Sequence, residues 1–201
     1  MIDVRFFQML GFLVEPNFLT SDDCGRIRRE MVYSNPEPAG VVHDGKTVLD
    51  PGRRSTTRVE VGEASHRLVE NKLSTARRSL ERHFGVALQD CQEPQFLLYQ
   101  EGDFFRLHAD TNDFDGSPEF LRQRKISTII FIGQQAADDR PASDLGGELV
   151  FHGLIDDPRM RDRGFSFPHD VGTLLAFPSH LLHEVTPVTR GQRYTVTTWF
   201  F

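Results

Sequence analysis

Cysteine is scarce in this chain, with only Cys24 and Cys91 among 201 residues. Two isolated cysteines are too few for a disulfide framework or a cysteine-rich zinc cluster, so both of these protein classes are excluded. Because the chain does not depend on disulfides, a reducing compartment is the simplest interpretation. We therefore expect a cytoplasmic protein.

Basic residues are also in the minority, since 23 Lys and Arg face 29 Asp and Glu and give a formal net charge of −6. This balance disfavours broad electrostatic binding to nucleic acid or to an anionic membrane. The first residues contain no long apolar run, which predicts neither a signal peptide nor a transmembrane span. We expect no nucleic-acid partner and no membrane partner.

Tyrosine and tryptophan are rare as well, at 3 and 1 residues against 17 phenylalanines. Many of the phenylalanines lie in short apolar runs, which are typical of strands. A length of 201 residues fits one domain with a sizeable core. We therefore expect a single active site.

The early part of the chain predicts helices. Thr20 and the acidic residues after it can cap a helix from about Asp22 to Tyr33. Apolar residues at helical spacing predict a second, longer helix from about Ala64 to His83, ended by Gly85. The segments around these helices are predicted as a short strand and turn (Phe6 to Phe18), a long surface loop (Ala39 to Arg54) and a strand (Ser55 to Val61).

Short apolar runs bounded by turn residues fill the rest of the chain and predict strands. Helices followed by many short strands favour a mostly β fold, a sheet sandwich or barrel with flanking helices. The predicted strands are Phe96 to Gln100, Phe105 to Ala109, Ile126 to Ile132, Glu148 to Phe151, Gly172 to Phe177, His183 to Val188 and Tyr194 to Phe200.

Two polar residues at the end of one predicted strand can bind a metal ion. His108 and Asp110 are two positions apart, so on an extended strand their side chains point the same way. A second histidine from a distant strand, His183, would complete a two-histidine, one-carboxylate set, which leaves positions open on non-haem Fe(II). Arg193, ten residues after His183, is suited to pair with the carboxylate of a co-substrate. His180 lies in the same turn as His183 and competes for the ligand role.

The motifs around these residues are Tyr99 to Asp110, Gly146-Gly147-Glu148-Leu149-Val150-Phe151, and Gly172 to Arg193. With them the chain resembles the prolyl 4-hydroxylase-like branch of the Fe(II)/2-oxoglutarate-dependent dioxygenases over about Phe96 to Phe201. The resemblance implies one domain over 1–201. In it, a double-stranded β-helix, or jelly roll, over 96–201 follows a helical support and lid region over 1–95.

The resemblance also implies roles for single residues. His108, Asp110 and His183 would be the iron ligands, and Arg193 would pair with the distal carboxylate of 2-oxoglutarate. Hydroxyl groups of Tyr99 and Thr128 would assist Arg193. The implied reactants are Fe(II), 2-oxoglutarate and dioxygen, with ascorbate as a stimulant. The implied activity is hydroxylation of an aliphatic carbon, such as that of a prolyl residue in a peptide or protein.

Three alternatives stay open. The substrate can instead be a free amino acid or another small metabolite, chosen by the loops at Ala39 to Arg54, Thr111 to Arg124 and Gly153 to Phe167. A nucleic-acid demethylase of the same superfamily is disfavoured by the acidic charge and by the lack of a second arginine shortly after Arg193. A non-enzymatic, cupin-like metal-binding module would share the same ligands.

Overall fold

The structure is a computed structural model that describes residues 3–43, 46–112, 117–135, 146–160 and 163–201. The helices in this part of the chain are α1 (Val4–Met9), α2 (Ser21–Tyr33), α3 (Glu63–Phe84) and α4 (Glu119–Arg122). The early strands are β1 (Leu13–Glu15), β2 (Glu37–Pro38), β3 (Val41–His43), β4 (Lys46–Val48) and β5 (Thr57–Val59). The later strands are β6 (Gln95–Tyr99), β7 (Phe105–His108), β8 (Ile126–Gln135), β9 (Leu149–Phe151), β10 (Phe165–Ser166), β11 (Leu174–Pro178), β12 (His183–Val185) and β13 (Gln192–Phe200).

Both predicted helices are confirmed, and their ends have clear local causes. The Thr20 hydroxyl accepts a hydrogen bond from the Asp23 backbone N–H at 3.1 Å, which caps α2. Gly85 ends α3 in the left-handed region with φ 65°, and its N–H donates to the Glu81 carbonyl. A side chain at this backbone angle is strained, so glycine is favoured there.

Two predictions for the early part of the chain were wrong in part. Phe6 was expected in a strand, but it lies in α1, which Asp3 caps by accepting from the Phe6 N–H at 3.2 Å. The segment from Ala39 to Arg54 was expected to have little regular structure, but it contains the β3–β4 hairpin. Its Asp44 and Gly45 lie outside the described residues.

Two sheets form the centre of the fold. The larger has the strand order β1-β11-β8-β13-β6-β5-β2, and the smaller has the order β10-β9-β12-β7. The pairs within both sheets are antiparallel. β5 from the early part of the chain pairs with β6, so the two parts share one sheet.

Successive side chains of each strand point to opposite faces of the larger sheet and pack into two cores, one on each face. Leu98 and Ile130 pack in a core with residues of α2 and α3. Leu97 and Ile129 pack in a second core with residues of the smaller sheet, such as Phe151. A two-sheet sandwich with helices outside confirms the predicted mostly β fold. None of the helices described is long and apolar enough to cross a membrane.

The glycines of the two long helices allow a test of the helix ends. Gly85→Ala should lower the free energy of unfolding by about 1 kcal/mol, because alanine is strained at a left-handed C-cap. Gly25→Ala should raise it by about 0.5–1 kcal/mol, because Gly25 lies inside α2 and a Cβ there would meet only Arg29 Nη1, at 3.7 Å. Urea denaturation of both variants measures the two shifts. Equal signs would contradict the described end of α3.

Candidate metal centre and co-substrate pocket

Neighbouring strands of the smaller sheet bring His108, Asp110 and His183 together. β7 ends at His108, β12 begins at His183, and these two residues are direct cross-strand partners. Asp110 lies just beyond β7, where its N–H donates to the Ser179 carbonyl at 2.9 Å. Its carboxylate oxygens lie 3.7 Å from His108 Nε2 and 3.5 Å from His183 Nε2. Within 4.8 Å of one another, the three ligand atoms can reach a single ion.

Hydrogen bonds fix the orientation of each possible ligand. His108 Nδ1 donates to the Arg106 carbonyl at 2.8 Å, and His183 Nδ1 donates to the Leu181 carbonyl at 2.9 Å. Since a carbonyl oxygen can only accept, Nδ1 carries the proton and the Nε2 lone pair faces the centre of the group. Ser127 Oγ donates to Asp110 Oδ2 at 2.7 Å, which holds the carboxylate in place.

Buried charges set the protonation of the group. Burial alone would raise the pKa of Asp110, but the neighbouring His183 and His108 and the Ser127 hydrogen bond outweigh it and hold the pKa well below its usual range. Burial, together with the nearby His108, lowers the pKa of His183 to about 4, although Asp110 opposes the shift. An ionised carboxylate and a neutral imidazole are the forms that bind metal ions.

Arg193 is a buried cation whose donors are incompletely used. Its residue is 2% exposed, and its guanidinium carbon lies 5.0 Å from the centre of the Tyr99 ring. Nη1 makes one long contact of 3.5 Å with Thr195 Oγ1, whereas Nε and Nη2 have no hydrogen-bond partner in the described part of the chain. Among the described residues, no carboxylate forms an ion pair with this guanidinium. Burial also lowers the pKa of Arg193. An anionic ligand would therefore supply the hydrogen-bond acceptors and the negative charge that the described residues do not give this guanidinium.

The glycine pair before β9 allows the backbone to pack against Arg193. Gly147 has φ 66°, and a Cβ there would lie 3.1 Å from Arg193 Cδ and 3.0 Å from Val188 Cγ2. Gly146 has φ 63°, and a Cβ there would lie 2.4 Å from the Pro187 carbonyl oxygen. Glycine at both positions therefore allows the backbone to approach Arg193 and Pro187 closely.

One cavity connects the metal-ligand group to Arg193. It is lined by His108, Asp110, His183 and Arg193, and also by Tyr99. The structure therefore brings five of the six candidate site residues together. His180 is exposed on the turn before β12 and lies outside this group.

Thr128 is the candidate that the structure does not bring to the cavity. In β8, Ile126 and Ile130 belong to the core that contains residues of α2 and α3. Thr128 lies between them at two-residue spacing, so it shares their face of the sheet. Its hydroxyl donates to the Thr198 carbonyl at 3.1 Å and is satisfied there. The reason is the strand alternation, which turns Thr128 away from Arg193.

Two threonines beside Arg193 were missed from the sequence. Thr195 and Thr197 follow Arg193 at alternate positions of β13, and both line the cavity, as does Trp199. The two-residue spacing was the available signal, since it puts these residues on the face of Arg193. They are better placed than Thr128 to contact a ligand there.

Two further histidines, His152 and His169, each have a specific contact. His152 Nε2 lies 2.9 Å from Oε1 of Glu184, which follows the ligand His183 in β12. The His169 ring stacks on Phe131 with ring centres 3.8 Å apart. Burial, with Arg193 adding to it, lowers the pKa of His169 to about 3.

Comparison with known proteins identifies the family. The sequence profile of the 2OG-Fe(II) oxygenase superfamily matches residues 94–201, which is more than half of the chain and includes all the candidate site residues. The chain therefore belongs to the 2OG-Fe(II) oxygenase superfamily, whose members use Fe(II) and 2-oxoglutarate. The family resemblance predicted from the sequence is confirmed.

Curated relatives match the same part of the chain. A PKHD-type hydroxylase of Shewanella baltica strain OS185 is 31% identical over 106 residues, which cover 53% of this chain and 41% of the relative. A PKHD-type hydroxylase of Pseudomonas putida is 32% identical over 108 residues, with 53% and 42% covered. The aligned segment thus spans less than half the length of each relative.

Solved structures with the same fold include two prolyl hydroxylases. A Pseudomonas putida prolyl-4-hydroxylase has a TM-score of 0.69 and 21% identity, with 94% of this chain and 91% of that chain covered. A Trichoplax adhaerens prolyl hydroxylase, in complex with a peptide fragment of hypoxia inducible factor, has a TM-score of 0.71 and 18% identity, with 98% and 86% covered. The predicted jelly-roll core is confirmed.

The geometry of the metal-ligand group generates a direct binding prediction. His108→Ala, Asp110→Ala and His183→Ala should each weaken Fe(II) binding by about tenfold or more, because loss of one of three ligands disrupts affinity and geometry together. His180→Ala should bind Fe(II) as the parent protein does, since it removes a histidine from the same turn without touching the group. Anaerobic equilibrium dialysis with Fe(II) measures the affinities. Strong binding by His183→Ala with loss in His180→Ala would reverse the assignment.

Proposed function

We propose that this protein is an Fe(II)- and 2-oxoglutarate-dependent dioxygenase that hydroxylates an aliphatic carbon. The observation that carries the proposal is the shared cavity of the three-residue metal-ligand group and a buried arginine with unused donors. The first fits a divalent metal ion, and the second fits the far carboxylate of a ligand held on that ion.

In this proposal each site residue has a separate role. His108, Asp110 and His183 hold Fe(II) and leave its remaining positions open. Arg193 pairs with the distal carboxylate of 2-oxoglutarate, and Tyr99 and Thr195 border that pair. When bound, Fe(II) and 2-oxoglutarate supply the oxidising chemistry, in which dioxygen is consumed, 2-oxoglutarate becomes succinate and carbon dioxide, and a substrate C–H bond becomes C–OH. Ascorbate would keep the iron reduced.

The chain itself contributes orientation and the exclusion of water. His108 and His183 each donate a hydrogen bond to a backbone carbonyl, and Asp110 accepts one from Ser127. These bonds set the directions of the ligands in the metal-free protein. Burial of Arg193 strengthens its pairing with an anion, because charges interact more strongly away from water.

The substrate class is proposed from the relatives and the open cleft. The curated relatives are named as hydroxylases, and the two structural neighbours are prolyl hydroxylases, one of them bound to a peptide. A cleft of about 480 Å³ beside His108 and Asp110 offers room for a peptide segment. A prolyl residue in a peptide or protein is therefore the first candidate, and a free amino acid or other small metabolite is the second.

We also infer one domain over residues 1–201, with 1–95 as support and lid and 96–201 as the metal-binding core. This assignment of roles is supported by the pairing of β5 with β6 and by the packing of α2 and α3 on the larger sheet. Free Cys24 and Cys91 fit a cytoplasmic location. The acidic net charge favours partners other than nucleic acid or membrane.

Stepwise loading of the apo-protein tests the function. Anaerobic addition of Fe(II) and then 2-oxoglutarate should produce a weak visible charge-transfer band, and aerobic turnover should form succinate. A panel of prolyl peptides and free amino acids should include compounds that accelerate succinate formation. A protein that binds metal without the band and without succinate formation would instead be a cupin-like metal-binding module.

Arg193 provides a quantitative test of the co-substrate site. Arg193→Leu should raise the apparent Michaelis constant for 2-oxoglutarate by about tenfold or more, because it removes a charge-assisted pair worth about 1.5–3 kcal/mol. Arg193→Lys should fall between the two, since lysine keeps the charge but loses the planar fork. Thr128→Val is the matched control, because its hydroxyl lies on the other face of the sheet, and it should leave the constant unchanged. An unchanged constant in Arg193→Leu would rule out the role.

The segment from Ala39 to Arg54, here called the lid, is proposed to cover the iron when substrate is bound. Ala39, Val41 and Val42 border the cleft together with His108. Arg54 Nη1 donates to the Gly40 carbonyl at 3.1 Å, which links the two ends of the lid to each other. Such segments commonly exclude water and commit the substrate.

Shortening the lid between Val42 and Pro51 should cripple substrate hydroxylation but spare the Fe(II)/2-oxoglutarate band. The reason is that the proposed iron and co-substrate residues lie from Tyr99 onward, outside the deleted segment. Coupled and uncoupled succinate formation, measured with and without substrate, separates the two effects. Normal coupled activity in the shortened protein would reduce the lid to a passive connection.

A further inference from the structure

The cleft beside the metal-ligand group carries an excess of positive charge. Its described lining contains Arg53, Arg54, Arg58 and Arg124, whereas its acidic members are Glu37 and Asp110. Asp110 belongs to the metal-ligand group, and Glu37 is exposed. The cleft is thus opposite in sign to the chain, whose formal net charge is −6.

Arg54 joins this cleft to the metal-ligand group. It lines both the cleft and the cavity that contains Arg193. Its guanidinium carbon lies 4.7 Å from the centre of the Phe105 ring, and that ring stacks on His108 at 3.6 Å. Nη1 donates to Gly40, but Nε is buried and has no hydrogen-bond partner among the residues that the structure describes. A buried cationic donor without an acceptor is costly and points to a missing ligand atom.

Arg124 adds a second, partly buried guanidinium on the same cleft. It stacks on Trp199 at 3.5 Å and donates to the Asp110 backbone carbonyl at 3.1 Å. Burial lowers the pKa of Arg124 to about 10, with Asp110 opposing the shift and the positive charge of Arg54 adding to it. Trp199 Nε1 is also buried and has no hydrogen-bond partner within the described ranges, and Trp199 lines the same two cavities as Arg54.

Bound Fe(II) and 2-oxoglutarate would not supply the missing negative charge. The two charges of the metal and that of Arg193 are matched by Asp110 and the two carboxylates of 2-oxoglutarate. Among the described residues that line the cleft, only the exposed Glu37 is then left as an acidic partner for Arg54 and Arg124. A negative group that enters the cleft relieves their repulsion and accepts a hydrogen bond from the unused Nε–H of Arg54. The Arg124 nitrogens already donate to Gln92 and to the Asp110 carbonyl, so Arg124 acts through its charge.

We propose that the substrate of this enzyme carries a carboxylate, which Arg54 binds directly and Arg124 attracts, next to the metal-ligand group. The inference rests on the proposed function, because it names the substrate class of that site. A free amino acid or small organic acid would supply the carboxylate at its end, and an acidic peptide would supply it from Asp or Glu. The shared chemistry is an oxygen pair that accepts from a guanidinium.

Binding of acids and of their matched amides tests the proposal without knowledge of the product. The probes are free amino acids with their primary amides, and N-acetylated, C-amidated peptides that contain Asp or Glu with their Asn or Gln counterparts. Ligand-observed NMR with Zn(II)- and 2-oxoglutarate-loaded protein measures the affinities. At least one acid should bind about tenfold or more tightly than its amide, as expected for a charged hydrogen bond.

Variants assign the preference to Arg54. Arg54→Leu should lose the preference for the acid, and Arg54→Lys should retain part of it because the charge remains. Arg78→Leu is the matched control, because it removes one positive charge from an exposed position of α3 and should keep the full preference. The far-ultraviolet circular dichroism and the Fe(II)/2-oxoglutarate band of each variant show that fold and loading are intact.

The failures of the two proposals are distinguishable. A parent protein that forms the Fe(II)/2-oxoglutarate band but binds no acid more tightly than its amide overturns the carboxylate proposal alone. Retention of the acid preference in a folded, loaded Arg54→Leu protein overturns the role of Arg54. Absence of the band in the parent protein overturns the function on which both depend. A preference among free acids or among acidic peptides identifies the source of the carboxylate.

Discussion

The antiparallel pairing of β7 with β12 is the constraint on which the candidate site depends. It sets His183 directly opposite His108, so the two imidazoles lie next to each other on neighbouring strands. Because side chains alternate along a strand, a slip of one residue would turn one histidine to the other face of the sheet. β9 pairs with the other edge of β12 and holds it in register, since Phe151 also lies opposite His183. The apolar core between the sheets and the polar ligand set are thus products of the same register.

The sequence allowed much of this to be predicted, because several signals are local. The cap at Thr20 specifies the start of α2. The helical spacing of apolar residues and the terminal Gly85 specify α3. The short apolar runs specify the strands of the core within a few residues of their ends. The spacing of His108 and Asp110 predicted a shared direction, and the two side chains do converge, although Asp110 lies past the end of β7.

What could not be predicted depends on contacts between distant segments. The face of β8 that looks toward Arg193 is decided by its partners on either side, so Thr128 could not be assigned from its own neighbours. The hairpin in the lid is made of two three-residue strands in a segment rich in glycine, proline and aspartate, where strand signals are weak. The stack from Arg54 through Phe105 to His108 joins the lid to β7, two parts of the chain that are far apart in sequence, and no periodicity predicts it.

The pairing of β5 with β6 has a consequence for what counts as the folding unit. Residues 94–201 match the family profile and contain the metal-ligand group, yet β6 borders β5 on one side, and the larger sheet is covered by α2 and α3. A fragment of those residues alone would expose a strand edge with unpaired backbone groups and a broad apolar face beside it. Both are templates for association with other copies of the fragment. The early part of the chain, which lies outside the residues matched by the family profile, therefore covers this edge and this face. It prevents the sheet that carries Arg193 from pairing with the same sheet of another copy.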